Sequence, residues 1–157
     1  MKKGLLMLYI GNQAGTTAMA LGQTLRSIGR GFRTCYIQFC DNPSACESFR
    51  VDMYNEFLEF HQFEKNPTDP DPEMKNLTSP THSWNLAHKA IISEEFRLVV
   101  LEGITEVLES GTLNKESVVD FLRACPAGTN IILTGRDAPG SLIEAADLVT
   151  EVRETCQ

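Results

Sequence analysis

The residues best suited to chemistry stand between an apolar run ending at Ile10 and a helical pattern: Gly11-Asn12-Gln13-Ala14-Gly15-Thr16-Thr17. A glycine-bearing turn between a buried strand and a helix presents backbone N–H groups and the positive end of the helix dipole, which together suit a phosphate. The Thr16 and Thr17 hydroxyls are available to a phosphate oxygen or to magnesium. The turn is not a complete Walker loop, because its glycine spacing is short and no lysine stands ready for the outer phosphates. Ordinary helix capping, which threonine does well, is the competing use. Two further candidates follow apolar runs. Glu102 ends the run from Arg97 to Leu101 and could reach magnesium or its waters. Arg136, in Thr134-Gly135-Arg136, could contact a triphosphate or pair with Asp137 or Glu144. None of these residues is singled out as catalytic.

Other chemistries find little support. Cys35, Cys40, Cys46, Cys125 and Cys156 are odd in number and contain no C-x-x-C pair, against a zinc site or a disulfide scaffold. His61, His82 and His88 show no ligand spacing, so no protein-built metal site is expected. Trp84 with Phe57, Phe60 and Phe63 could face a flat macrocycle, although core packing is the commoner fate of aromatic side chains.

The elements that must position these groups alternate in type. Leu5 to Ile10 reads as a strand covered on both faces. Thr16 to Ile28 reads as a helix with Leu21, Leu25 and Ile28 turned inward, stopped by Gly29 and Gly31. Arg33 to Phe39 is a second strand, and Val51 to Phe63 is open between strand and helix. Glu64 to Ser83 holds Pro67, Pro70, Pro72 and Pro80 and reads as a loop, either a connector or a ligand cover. Ser83 to Glu95 is a helix, Arg97 to Leu101 a strand, and Asn114 caps a helix through Arg123 with Val118, Val119 and Leu122 inward. Asn130 to Leu133, Pro139 to Ala145 and Leu148 to Val152 complete the order as strand, helix and strand. Such alternation predicts an α/β fold: a mostly parallel sheet of five or six strands with helices on both faces, binding ligands at the carboxyl ends of its strands.

The whole chain of 157 residues suits one domain. Its 21 acidic against 14 basic side chains argue against binding nucleic acid through phosphate neutralisation. No apolar run approaches the roughly 20 residues of a membrane span. The basic start at Lys2 and Lys3 leads into a short apolar run without a cleavage site, which reads as a strand and not a leader. Cysteine usage suits the cytoplasm.

Several segments together resemble the P-loop class of ATP:corrinoid adenosyltransferases, which act on cob(I)yrinic acid a,c-diamide and salvaged cobalamin. Gly11-Asn12-Gln13-Ala14-Gly15-Thr16-Thr17-Ala18 is similar to the opening G-N-G-K-G-K-T-T-A-A of that family. Gly29-Arg30-Gly31-Phe32-Arg33 resembles its G-x-G-x-R turn, and Tyr36-Ile37-Gln38-Phe39 its V-x-Q-F strand. Trp84-Asn85-Leu86-Ala87 resembles its A-W-x-x-A helix, and Leu98 to Ile104 its L-V-V-L-D-E-L strand end. Leu133-Thr134-Gly135-Arg136-Asp137-Ala138-Pro139, continuing from Leu142 to Glu151, is the most specific match, to T-G-R-x-A-P and L-I-E-x-A-D-L-V-T-E. The resemblance runs from Leu5 to Arg153 outside the proline-rich middle.

What it implies is a P-loop NTPase-like, three-layer fold and a reaction in which a Co(I) corrinoid attacks the 5′ carbon of ATP and triphosphate leaves. It also implies ATP, magnesium and a corrinoid as ligands, and a homodimer. On this pattern Gly11, Asn12, Gln13, Ala14, Gly15, Thr16, Thr17 and Arg136 would hold phosphate, and Thr16 and Glu102 magnesium.

The chain departs from the pattern around that site. Both loop lysines are absent, a loss on the order of 1.5–3 kcal/mol in binding for each charge-assisted contact. The family's Asp-Glu has become Glu102-Gly103. A lysine and glycine after the Q-F strand are replaced by Cys40-Asp41-Asn42, and the stretch the family carries beyond its T-E strand has no counterpart before Gln157. Three readings follow: a slow adenosyltransferase, a homologue that binds nucleotide or corrinoid without catalysis, and an interaction module that keeps only the fold.

Overall fold

The computed structural model describes residues 4–40, 56–63, 79–124 and 128–155. Its strands are β1 (Leu6–Gly11), β2 (Thr34–Gln38), β3 (Leu58–His61), β4 (Leu98–Glu102), β5 (Asn130–Gly135) and β6 (Leu148–Val152). Its helices are α1 (Gln13–Ile28), α2 (Pro80–Ile92), α3 (Ile104–Glu109), α4 (Lys115–Arg123) and α5 (Gly140–Ala145). The strands form one 6-stranded sheet in the order β3-β2-β4-β5-β1-β6, and every pairing is parallel. The fold is therefore α/β and three-layered, as the alternating pattern implies. The sheet has the extra strand β3, drawn from the segment whose type the sequence left open.

Alternation along the central strands divides the core in two. Leu6, Leu8, Val99, Leu101, Ile131 and Leu133 face one side, where Ala87 and Ile91 of α2, Ile104 of α3, Val118 and Leu122 of α4 and Leu142 of α5 cover them. Tyr9, Leu98, Val100 and Ile132 face the other, against Ala20 and Ile28 of α1. Burying both faces explains why these strands are unbroken apolar runs. The second core also takes Phe57 and Phe60, whereas Phe63 and Trp84 belong to the first. Phe60 stacks on Tyr36, and Trp84 meets Phe121 edge-on at 5.5 Å. Core packing thus splits the four aromatics considered for a macrocycle between the two faces.

The helices differ from the sequence reading: α1 starts at Gln13 and not at Thr16, and α2 ends at Ile92 and not at Glu95. The inner face of α1 is Thr16, Thr17, Ala20, Thr24 and Ile28, and Leu25 is exposed. Small side chains let the helix lie close on the sheet, and the Thr24 hydroxyl returns to the Ala20 carbonyl at 2.9 Å, so its burial leaves no donor unpaired. The last residues of the expected loop are helical, because Pro80 opens α2 just after the Ser79 cap, a position where its missing N–H costs nothing. The remainder of that loop, 64–78, lies outside the described residues. Finally, α3 was not foreseen; it is 6 residues long with three β-branched side chains, Ile104, Thr105 and Val107, in its sequence, too brief for a helical period. Among the described residues no helix is long and apolar enough to cross a membrane.

Candidate functional site

A parallel sheet brings the carboxyl ends of its strands to one edge. Gly11, Gln38, Glu102, Gly135 and Val152 are the last residues of β1, β2, β4, β5 and β6. The candidate residues therefore gather there, as expected of a ligand crevice in such sheets.

At its centre, a single residue, Asn12, joins β1 to α1. Asn12 caps the helix: its Oδ1 accepts from the Gly15 N–H at 3.0 Å and its carbonyl from the Thr16 N–H at 2.9 Å. The Gly11 N–H donates to the Arg136 carbonyl at 3.0 Å and the Asn12 N–H to the Val152 carbonyl at 2.9 Å. Gly11 has a φ of 115°, and a Cβ there would strike the Val152 carbonyl, so glycine is required. The turn thus satisfies most of its own donors. The N–H groups of Gln13 and Ala14, at the open start of α1, have no acceptor among the described residues.

The threonines take different partners. The Thr16 hydroxyl donates to the Gln13 carbonyl at 3.1 Å, within its own helix turn. It is Thr17 that meets Glu102, its hydroxyl donating to Oε1 at 2.6 Å, while the Gln38 amide donates to Oε2 at 3.0 Å. Glu102 is only 2% exposed. Gln38 follows from the register, since it stands opposite Glu102 on β2. Among the described residues no group of three or more His, Cys, Asp or Glu could hold a metal ion. Magnesium at a nucleotide needs fewer protein ligands, since phosphates and water supply the rest. A hydroxyl backed by a carboxylate beside a helix N-terminus fits that demand.

Arg136 is exposed at the rim. Its Nη2 donates to Gln13 Oε1 at 3.4 Å, and its backbone N–H donates to Glu106 Oε1 at 3.0 Å. Among the described residues neither Asp137 nor Glu144 pairs with it. The preceding glycine is fixed by packing, because a Cβ on Gly135 would overlap the Thr105 hydroxyl. Glu154 adds a carboxylate on the other side, accepting from Asn12 Nδ2 at 2.9 Å. Nearby, Arg153 grips Glu151 through two bonds of 2.8 Å, and that guanidinium holds the Glu151 carboxyl below its usual range. Asp147 has a structural contact, its Oδ2 accepting from the Leu6 N–H at 2.8 Å.

A family model described as ATP:corrinoid adenosyltransferase BtuR/CobO/CobP matches residues 2–156. The chain belongs to this family. It is 27% identical over 153 residues to the corrinoid adenosyltransferase of Pseudomonas aeruginosa, covering 96% of this chain and 75% of that one. It is 27% identical over 155 residues to that of a Sinorhizobium species, covering 96% and 72%. With the Escherichia coli K12 corrinoid adenosyltransferase the identity is 26% over 160 residues, covering 97% and 78%.

The departures from the adenosyltransferase pattern have a geometry. Gly103, in place of the second carboxylate, is left-handed with a φ of 74°, and a Cβ there would strike the Cys40 sulfur. Cys40, itself a departure, thus fills the space next to the missing side chain. Where the pattern carries its lysines, this chain begins α1, with Gln13 and Ala14 as the first helical residues. Sequence reading missed Gln38, Glu106 and Glu154 as neighbours of the site. For Gln38 a signal existed, since it ends its strand as Glu102 does; the other two lie in short or irregular segments.

Proposed function

We propose that this chain is a slow ATP:corrinoid adenosyltransferase, which transfers the 5′-deoxyadenosyl group of ATP to a Co(I) corrinoid and releases triphosphate. Membership of the family supports the reaction class. The observation that carries the reduced rate is the closed β1–α1 turn, in which Gln13 and Ala14 retain backbone donors for phosphate while those of Gly11, Asn12, Gly15 and Thr16 are spent within the protein.

In this reading the corrinoid cobalt supplies the electron pair, the C5′–O bond breaks, and the departing triphosphate carries the developing charge. The start of α1 faces that charge with two amides and the helix dipole. Arg136 swings from Gln13 to an outer phosphate. Thr17 and Glu102 would hold magnesium, which supplies further charge neutralisation when bound. The turn Gly11–Thr17 itself contains no lysine, and removing a preorganised donor from developing negative charge typically lowers turnover about 10²–10³-fold. A cytoplasmic location and a homodimer belong to the same reading, supported by cysteine usage and by resemblance respectively.

The test is an anaerobic assay with chemically reduced cobalamin and magnesium-ATP, followed by formation of a photolabile Co–C bond. Slow but ATP-dependent formation is the expected result. Binding of magnesium-ATP without any Co–C product would favour the carrier reading, in which the homologue holds its ligands without catalysis.

A further inference from the structure

At the opposite end of the sheet, where β4 and β5 begin and α1 ends, the described residues surround a cavity of about 230 Å³. Arg26, Arg30 and Arg97 are among the residues that line it, with Gln23, Asn130 and Phe32. No acidic side chain belongs to this lining, although acidic residues outnumber basic ones 21 to 14 in the chain. Arg97 is anchored by a carbonyl and not by a carboxylate, its Nη1 donating to the Gly128 oxygen at 2.7 Å. Arg26 and Arg30 have no ion pair among the described residues. Their neighbour Arg33 shows the contrast, since it pairs with Glu95 at 2.9 Å and lies 4.9 Å from the centre of the Phe96 ring.

Cations in the last turn of a helix meet the negative end of its dipole, and that accounts for Arg26 or Arg30 singly. It does not account for Arg97, which comes from the start of β4. Nor does it explain three like charges around one concavity, an arrangement that raises the energy of the empty state. A multiply charged anion removes that repulsion, and the planar donors of guanidinium match phosphate oxygens in particular.

We propose that this cavity binds an oligophosphate, either free or as the phosphate arm of a nucleotide, at a site separate from the β1–α1 turn. The 16 residues of α1 separate the two ends, a length of about 24 Å. The volume suits a phosphate chain and falls below the roughly 300–1,000 Å³ of pockets that enclose a whole drug-sized ligand. A nucleoside would extend over Phe32, a residue that is 43% exposed and whose aromatic ring is suited to stacking.

The experiment titrates inorganic tripolyphosphate, and separately magnesium-free ATP, into the full chain and two variants. One is the Arg26→Gln, Arg30→Gln double variant and the other Arg136→Gln. Tripolyphosphate should bind the wild type at two sites, the tighter one kept in Arg136→Gln and weakened at least tenfold in the double variant. Raising the salt from about 50 to 200 mM should weaken the binding, as screening requires. ATP behaving in the same way identifies a nucleotide arm; tripolyphosphate binding without ATP binding identifies a free oligophosphate. Absence of tripolyphosphate binding up to millimolar concentration overturns the proposal. So does a double variant as tight as the wild type, or a loss confined to Arg136→Gln. Arg26 and Arg30 are exposed, so the core is untouched; thermal melts verify this, and Arg97→Lys gives an independent graded loss. The outcome does not depend on adenosyl transfer, which is read separately at the other end of the sheet.

Discussion

The Thr17 hydroxyl and the Glu102 carboxylate meet at 2.6 Å in the interior, tying the first turns of α1 to the end of β4. The bond aligns the helix that opens at the phosphate turn with the strand that ends beside it. Its donor is neutral and its acceptor a buried carboxylate, a combination in which loss of the donor is costly. Thr17→Val keeps the shape and removes that donor. It should destabilise the fold by about 1.5–3 kcal/mol, lowering the melting temperature by roughly 3–12 °C. Urea unfolding of the variant checks this, with Thr16→Val as a comparison whose lost bond is local to α1.

Two glycines should respond in opposite directions. A Cβ on Gly135 would overlap the Thr105 hydroxyl and come within 2.8 Å of Glu106 Oε2. Gly135→Ala should therefore cost about 1–3 kcal/mol through overpacking. Gly22, inside α1, has nothing within 4 Å of its Cβ position. Gly22→Ala should stabilise the fold by about 0.4–1 kcal/mol, because alanine loses less backbone entropy in a helix. Chemical denaturation of both variants at one pH reads the pair of signs.

Tyr9 sets an alkaline limit. Burial raises its phenol above the ordinary value, with a hydrogen bond to Gln23 acting in the opposite sense to a smaller extent. A raised phenol means that the folded chain keeps its proton more tightly than the unfolded chain. Its contribution is therefore complete below about pH 10, the ordinary tyrosine value, and is lost as pH climbs from there through the folded value. Tyr9→Phe should flatten the fall of stability in that window and leave the neutral range less changed. Urea midpoints from pH 8 to 11 for both proteins would reveal it.

Among the described residues, Arg136 is the cation held against the turn, through Gln13. In the Arg26→Gln, Arg30→Gln background, where the distal cavity no longer contributes, replacing it by alanine should weaken magnesium-ATP binding about tenfold or more, the scale of one charge-assisted contact. Because the side chain is exposed, unfolding should change little. An equal affinity in the variant would remove Arg136 from the phosphate site.

Much of the fold could be read from Leu5–Ile10, Arg97–Leu101 and Asn130–Leu133, since strands covered on both faces must be apolar throughout. The edge strand β3 was ambiguous because Glu59 and Phe60 are only partly buried, which blurs both possible periods. The start of α1 was placed at Thr16, although Asn12 carries a cap signal; the glycines around it read as loop. The site was legible as a cluster of strand ends. Which threonine meets Glu102 was not, because that depends on the rotation of α1, set by small residues at 16, 20 and 24 whose burial hydropathy does not announce.

For want of a lysine the turn should hold triphosphate weakly, and calorimetric titration with magnesium-ATP measures that affinity. The Arg26→Gln, Arg30→Gln background removes heat from the distal cavity. In that background the chain is compared with one in which Gln13-Ala14-Gly15 is replaced by Gly-Lys-Gly-Lys, and with the simpler Ala14→Lys. The expected result is a dissociation constant in the hundreds of micromolar, toward the weak end of ordinary substrate affinities. A lysine-bearing turn should tighten it about 10–150-fold, the equivalent of 1.5–3 kcal/mol. Micromolar binding by the unaltered turn, with no gain from lysine, would show that the missing lysine does not limit the site.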